Sequence, residues 1–147
     1  MKLMISEVLQ KAHNAKTKAQ KIKILQENKT PALKMIFVAN FDTSLTPRVP
    51  PGEDVPYRKN EAPKGTEHTL LEKEASKLYY YFKGGADNIS SMKIENMFIR
   101  LLEGLHEDEA EVVVKAINKT LHKKYRITHA VVKEAFPEIK WGIRSRD

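Results

Sequence analysis

Apolar residues recur at helical spacing along most of the chain, and the first part of the pattern predicts three helices. These run over about residues 3–13, 17–27 and 30–40. Thr17 and Gln20 have the spacing of a capping box, and Thr30 followed by Pro31 is typical of a helix N-terminus. In the third segment Leu33, Ile36 and Phe37 are spaced to face a core.

The second half of the chain predicts further helices with clear start and stop signals. One long apolar stripe runs from Thr69 until Gly84 and Gly85 end it, and Ser90 or Ser91 caps the next helix. An acidic first turn over residues 106–111 opens another helix, and the last helix runs from Thr128 to Pro137. The pattern therefore predicts an all-α protein of about seven helices, with no convincing strand.

Residues 41–66 interrupt this pattern. Five of the seven prolines lie there, and no periodicity is present. Loops of this length in compact domains are usually functional or mobile. The alternative is a surface strap that Val55 and Tyr57 pin to the helices, and the sequence leaves both interpretations open.

Length and composition are typical of one domain. The 147 residues are enough to bury a core, and we expect a single domain over 1–139 followed by a basic tail at 140–147. No cysteine, signal-peptide pattern or membrane-length apolar run is present, which favours a cytoplasmic protein with no membrane partner. The net charge of +7 favours a polyanionic partner only modestly.

The sequence contains no recognisable catalytic constellation. There is no Walker loop, no nucleophile elbow and no zinc-binding helix motif. The five histidines are scattered, and His122 and His129 lie on opposite sides of a predicted helix break. We therefore expect no enzymatic activity, no cofactor and no metal site.

Cationic residues concentrate in two places. The second helix is surrounded by lysines at positions 11, 16, 18, 21, 23, 29 and 34. A basic turn over 115–126 precedes the last helix. A basic turn between two helices can grip a phosphate backbone, and the DNA hypothesis predicts that both groups share one face. A solvated face is the simpler explanation of the lysines. Tyr79, Tyr80 and Tyr81 could stack on bases, although helical spacing puts one or two of them in the core.

In several segments the chain resembles the N-terminal all-helical DNA-binding domain of ATP-dependent DNA ligases from tailed phages. The similar segments are residues 5–10, 17–28, 31–39, 83–88 and 119–137. The Lys-x-Asp-Gly motif that carries the adenylate in ligases is absent. The resemblance thus implies a DNA-binding module without the chemistry. The DNA contacts it implies are Lys119, Lys123, Lys124, Arg126 and Thr128, with Lys16, Lys18 and Lys83 as further candidates.

The chain is also similar to a family of short, uncharacterised proteins from myoviruses related to the T-even phages. The shared stretches are residues 57–63, 65–68 and 133–137. Together the resemblances favour a non-catalytic phage accessory protein in the host cytoplasm that binds duplex or nicked DNA without sequence specificity. The alternatives are a module that contacts a phage or host protein through residues 56–58, and a virion structural protein.

Overall fold

The computed structural model describes residues 4–49, 57, 71–85 and 88–141. Its helices are α1 Ile5–Asn14, α2 Lys18–Glu27, α3 Pro31–Phe41, α4 Leu71–Glu74, a 3-10 helix Ala75–Tyr81, α5 Ser91–Gly104, α6 Glu107–Ile117, α7 Leu121–Tyr125 and α8 His129–Ala135. No β-strand occurs within these ranges, although one isolated antiparallel bridge joins Pro47 to Phe82. The predicted all-α class is confirmed.

Helix α3 is the centre of the fold because it is apolar around most of its circumference. Seven of its residues are buried: Ala32, Leu33, Ile36, Phe37, Val38, Ala39 and Asn40. It packs against α6 on one side and against α4 and the 3-10 helix on another. Full burial of a side chain such as Phe37 stabilises the fold by roughly 1.5–3 kcal/mol. Helices α1 and α2 pack on each other, and α2 also packs on α8.

Four hydroxyl residues cap helices as the sequence predicts. Thr17, Thr30, Ser90 and Thr128 accept hydrogen bonds from the main-chain N–H three residues later. The predicted capping box at Thr17 differs in one bond, because Gln20 Oε1 accepts from the N–H of Lys16 at 3.1 Å. Each such cap stabilises its helix by about 1 kcal/mol.

The long helix predicted from Thr69 is not formed as expected. The described part begins as the single α-turn α4 and continues as the 3-10 helix. A 3-10 helix places residues three apart on one side, and Leu78 and Tyr81 are both buried while Tyr79 is 43% exposed. Burial at this spacing is compatible with the tighter winding. The chain then turns at Gly84, which has a φ of 92°, as the glycine pair predicts.

Helix α1 is fixed from a distant part of the chain. Glu109 of α6 is 3% exposed, and its carboxylate accepts from the N–H groups of Ile5 at 3.1 Å and Ser6 at 2.7 Å. The acidic first turn of α6 thus supplies one side chain to the N-terminus of another helix. Burial raises the pKa of the Glu109 carboxyl, although the bonds from Ser6 and Ile5 oppose that shift.

Of the proline-rich segment 41–66, residues 41–49 and 57 lie within the described part. Residues 46–48 run beside the end of the 3-10 helix: Arg48 N–H donates to Tyr81 O at 2.7 Å, and Lys83 N–H donates to Thr46 O at 2.8 Å. Tyr57 is partly buried and packs against the core, as expected of a strap. Val55, Pro56 and Arg58 lie outside the described residues.

Candidate nucleic-acid interface

The end of α1 and the end of α7 lie side by side. The rings of His13 and Tyr125 contact edge to face, with centroids 6.5 Å apart. A cleft of about 480 Å³ lies between these helices and the start of α6, and Lys11 and Lys124 are among the residues that line it. Lys16 follows α1 and Arg126 follows α7, so the packing brings together parts of the two basic segments.

The basic turn contains a helix that the sequence pattern did not predict. Helix α7 spans five residues, and Lys123 and Arg126 are exposed at its C-terminal end. Asn40, buried in α3, holds the other end because its Oδ1 accepts from the N–H of Leu121 at 2.9 Å. Arg126 ends the helix in the left-handed region, with a φ of 50°. The basic turn is therefore a fixed, helical structure.

Lys119 points into the protein. Its ammonium donates to the carbonyl oxygens of Ala39 at 2.8 Å and Asp42 at 2.9 Å, and it lies over the ring of Phe82. Burial lowers the pKa of this lysine, opposed by the charge of Asp42. These bonds satisfy carbonyls at the end of α3. The Lys119 side chain is therefore engaged inside the fold.

Lys124 and Thr128, two other predicted contact residues, also have internal partners. The Lys124 ammonium forms an ion pair with Glu111 and lies 5.2 Å from the ring centroid of Tyr125. The hydroxyl of Thr128 accepts from Val131 N–H at 3.3 Å as the cap of α8. Lys123 and Arg126 differ, because no partner contacts their side chains within the described ranges.

Several lysines on and after α2 are neutralised by acids near the end of α8. Lys18 pairs with Glu134 at 2.7 Å, and Lys29 and Lys34 both pair with Glu138, at 3.3 and 3.6 Å. Such exposed pairs contribute little to stability, but each reduces the local positive charge. Lys16 is exposed, and its ammonium has no partner among the described residues.

Lys83 belongs to another part of the surface. Its main chain pairs with Thr46 beside the bridge, and its side chain is exposed. No contact within the described residues joins it to α2 or to the end of α7. The predicted set therefore divides: Lys16, Lys123 and Arg126 have free cationic groups near two adjoining helix ends, and the other members are engaged or lie elsewhere.

Four rings lie in a row where α3, α7 and α8 meet the C-terminal segment, and the sequence analysis did not predict this. His122 lies 5.7 Å from Phe41, Phe41 stacks on His129 at 5.1 Å, and His129 meets Trp141 edge-on at 4.4 Å. These four residues form the ring row. The sequence contained a signal, since His122 lies in the basic turn and His129 follows it by three residues, but their contact with Phe41 is long-range.

Two other kinds of site are absent from the part of the chain that the structure describes. These residues include no group of three or more side chains suited to holding a metal ion. None of their helices combines the length and the apolar character that crossing a bilayer requires.

Comparison with known proteins identifies a family. The model of a family of unknown function, DUF6433, matches residues 8–123, which is most of the chain. The chain therefore belongs to that family. No curated protein and no solved structure matches the chain. The match spans α1 to α6 and the start of α7.

Proposed function

We propose that this member of the DUF6433 family binds DNA through backbone phosphates, using Lys16, Lys123 and Arg126, and that it catalyses no reaction. The observation that carries the proposal is the contact between the ends of α1 and α7. It brings the segments that bear these three exposed cations together, while most other predicted cations are paired with other residues of the protein. Phosphate contacts of this kind position a duplex without reading its sequence.

The segments that resemble phage DNA ligases favour this proposal, whereas no solved structure matches the chain. They favour an accessory protein of a T-even-related phage that acts on duplex or nicked DNA in the host cytoplasm. Five of the eight residues predicted from that resemblance fall outside the proposed contact set. Lys119 is engaged inside the fold, Lys124 and Lys18 pair with carboxylates at the surface, and Lys83 lies apart. Thr128 is also left out of the contact set because its hydroxyl caps α8.

Salt-dependent binding tests the proposal. Three phosphate contacts predict a log–log slope of about −2.7, which corresponds to an affinity loss of about 40-fold between roughly 50 and 200 mM salt. We expect this in fluorescence anisotropy with a labelled nicked or intact duplex. The double variant Lys123→Ala with Arg126→Gly should reduce the slope to about −0.9.

A second double variant provides the matched control. Lys18→Ala with Lys29→Ala removes the same net charge, but from lysines that are paired with Glu134 and Glu138. We expect it to retain most of the parent slope. An equal decrease of the slope in the two variants would show that DNA binding depends only on net charge. Absence of binding at the low-salt end would refute the proposal and favour a protein partner instead.

A further inference from the structure

We propose that the ring row stacks on an unpaired nucleobase of the DNA strand whose phosphates Lys123 and Arg126 contact. This inference rests on the proposed function and narrows its ligand to DNA with unpaired bases, such as a gap, a frayed end or a single strand. Fully paired duplex would engage the cations alone.

Exposure distinguishes the ring row from the aromatic core. The core rings of Phe37, Phe82 and Phe136 are at most 1% exposed. In contrast, His122 is exposed, and Phe41, His129 and Trp141 are only partly buried. The row therefore forms part of the surface, and the rings hold one another in place. A preformed aromatic surface loses little conformational freedom when a base stacks on it.

Folding stability does not explain why a histidine occupies position 129 in the row. The Nε2 atom of His129 is buried and has no hydrogen-bond partner among the described residues. A buried polar atom without a partner destabilises the fold, and an apolar side chain would fill the same space without that cost. His122 has the one described polar contact of the pair, Nδ1 to the Asn40 amide nitrogen at 3.4 Å.

Cations and rings alternate along one short segment. His122 precedes Lys123, and His129 follows Arg126 by three residues, with Lys133 exposed one turn further along α8. Proteins that bind single strands combine cationic groups for the phosphates with aromatic rings for the bases. A strand bound at Lys123 and Arg126 would have its bases beside the ring row. Charge complementarity thus favours a nucleic-acid strand over an uncharged apolar partner.

Two oligonucleotides with equal numbers of phosphates separate stacking from charge. One is a thymidylate strand of about eight nucleotides, within the site sizes known for single strands, and the other is its abasic counterpart. We expect the unmodified protein to bind the thymidylate strand at least about fivefold more tightly. Trp141 is the sole tryptophan of the chain, so its fluorescence should be quenched by the thymidylate strand and not by the abasic one.

Substitutions complete the test. Trp141→Leu should lower the affinity ratio toward one and leave abasic-strand binding unchanged, while Tyr79→Leu, at an exposed tyrosine outside the row, should retain the ratio. Far-ultraviolet circular dichroism confirms that each variant is folded. A ratio of one in the unmodified protein, or no change in Trp141→Leu, would overturn the inference while salt-dependent duplex binding still supported the proposed function. Failure to bind the duplex as well as both oligonucleotides would overturn the inference and the proposed function together.

Discussion

Removing the Glu109 carboxylate should destabilise the whole domain, although the residue lies in an acidic stretch that looks like a solvated helix start. The carboxylate accepts two hydrogen bonds from main-chain N–H groups at the start of α1, and it is 3% exposed. In Glu109→Ala both donors lose their partner in a buried place. Each unsatisfied donor costs about 1–3 kcal/mol.

The net effect is smaller than the sum because the variant no longer buries a carboxylate. We expect a loss of about 3 kcal/mol, a large part of the roughly 5–15 kcal/mol by which domains are stable. Urea denaturation followed by circular dichroism measures it. Glu107→Ala is the control, since Glu107 is an exposed acid in the same turn and should change stability by less than about 1 kcal/mol. Equal changes in both variants would refute the capping role.

The same residue has a pH signature. Burial raises the pKa of Glu109 above its ordinary value of 4.5. A raised carboxyl pKa means that the folded state holds its proton longer than the unfolded chain does. The part of the folding stability that depends on this proton is therefore complete below pH 4.5 and is lost as the pH rises through the folded-state pKa. Glu109→Gln should lack this decline, so the stability difference between the two proteins should change with pH over that window.

Three further predictions concern other parts of the fold. Lys119→Met should lose about 2 kcal/mol in urea denaturation because two carbonyls of α3 and its C-cap lose their donor, whereas Lys123→Met should change by less than about 0.5 kcal/mol. Gly85→Ala should lower the melting temperature because a Cβ there would overlap the carbonyl of Tyr79, and an unchanged melting temperature would contradict that contact. Burial, aided by Lys133 and opposed by Asp42, lowers the pKa of His129. The stability that depends on keeping His129 neutral should therefore be complete above pH 6.5 and be lost as the pH falls through the folded-state pKa. The fluorescence of Trp141 should change over the same pH range, and His129→Phe should abolish that change.

Local features of the fold were predictable because their causes are local. A hydroxyl three residues before an N–H is a complete capping unit, and Thr17, Thr30, Ser90 and Thr128 all act as the sequence predicts. The acidic first turn of α6 is followed by apolar residues at helical spacing, and Ala110, Val113, Val114 and Ile117 are all buried. These predictions required only residues within a few positions of one another.

The direction of a charged side chain depends on partners far along the chain. Lys119 and Lys123 belong to the same basic segment, yet one donates to carbonyls some eighty positions earlier and the other is exposed. Composition assigns both the same charge and gives no means of telling them apart. The ring row is similar, because Phe41 reaches His122 and His129 only after the helices have packed.

Arg126 is the residue at which stability and the proposed function are most clearly opposed. It adopts a left-handed backbone conformation with a φ of 50°, which costs a residue with a Cβ roughly 1–2 kcal/mol and glycine much less. Lys119 shares that conformation, but the bonds of its ammonium to α3 offset the strain. No contact within the described residues offsets it for the Arg126 side chain. Arg126→Gly should therefore stabilise the fold while weakening DNA binding, an opposition that a residue selected for folding alone would not show.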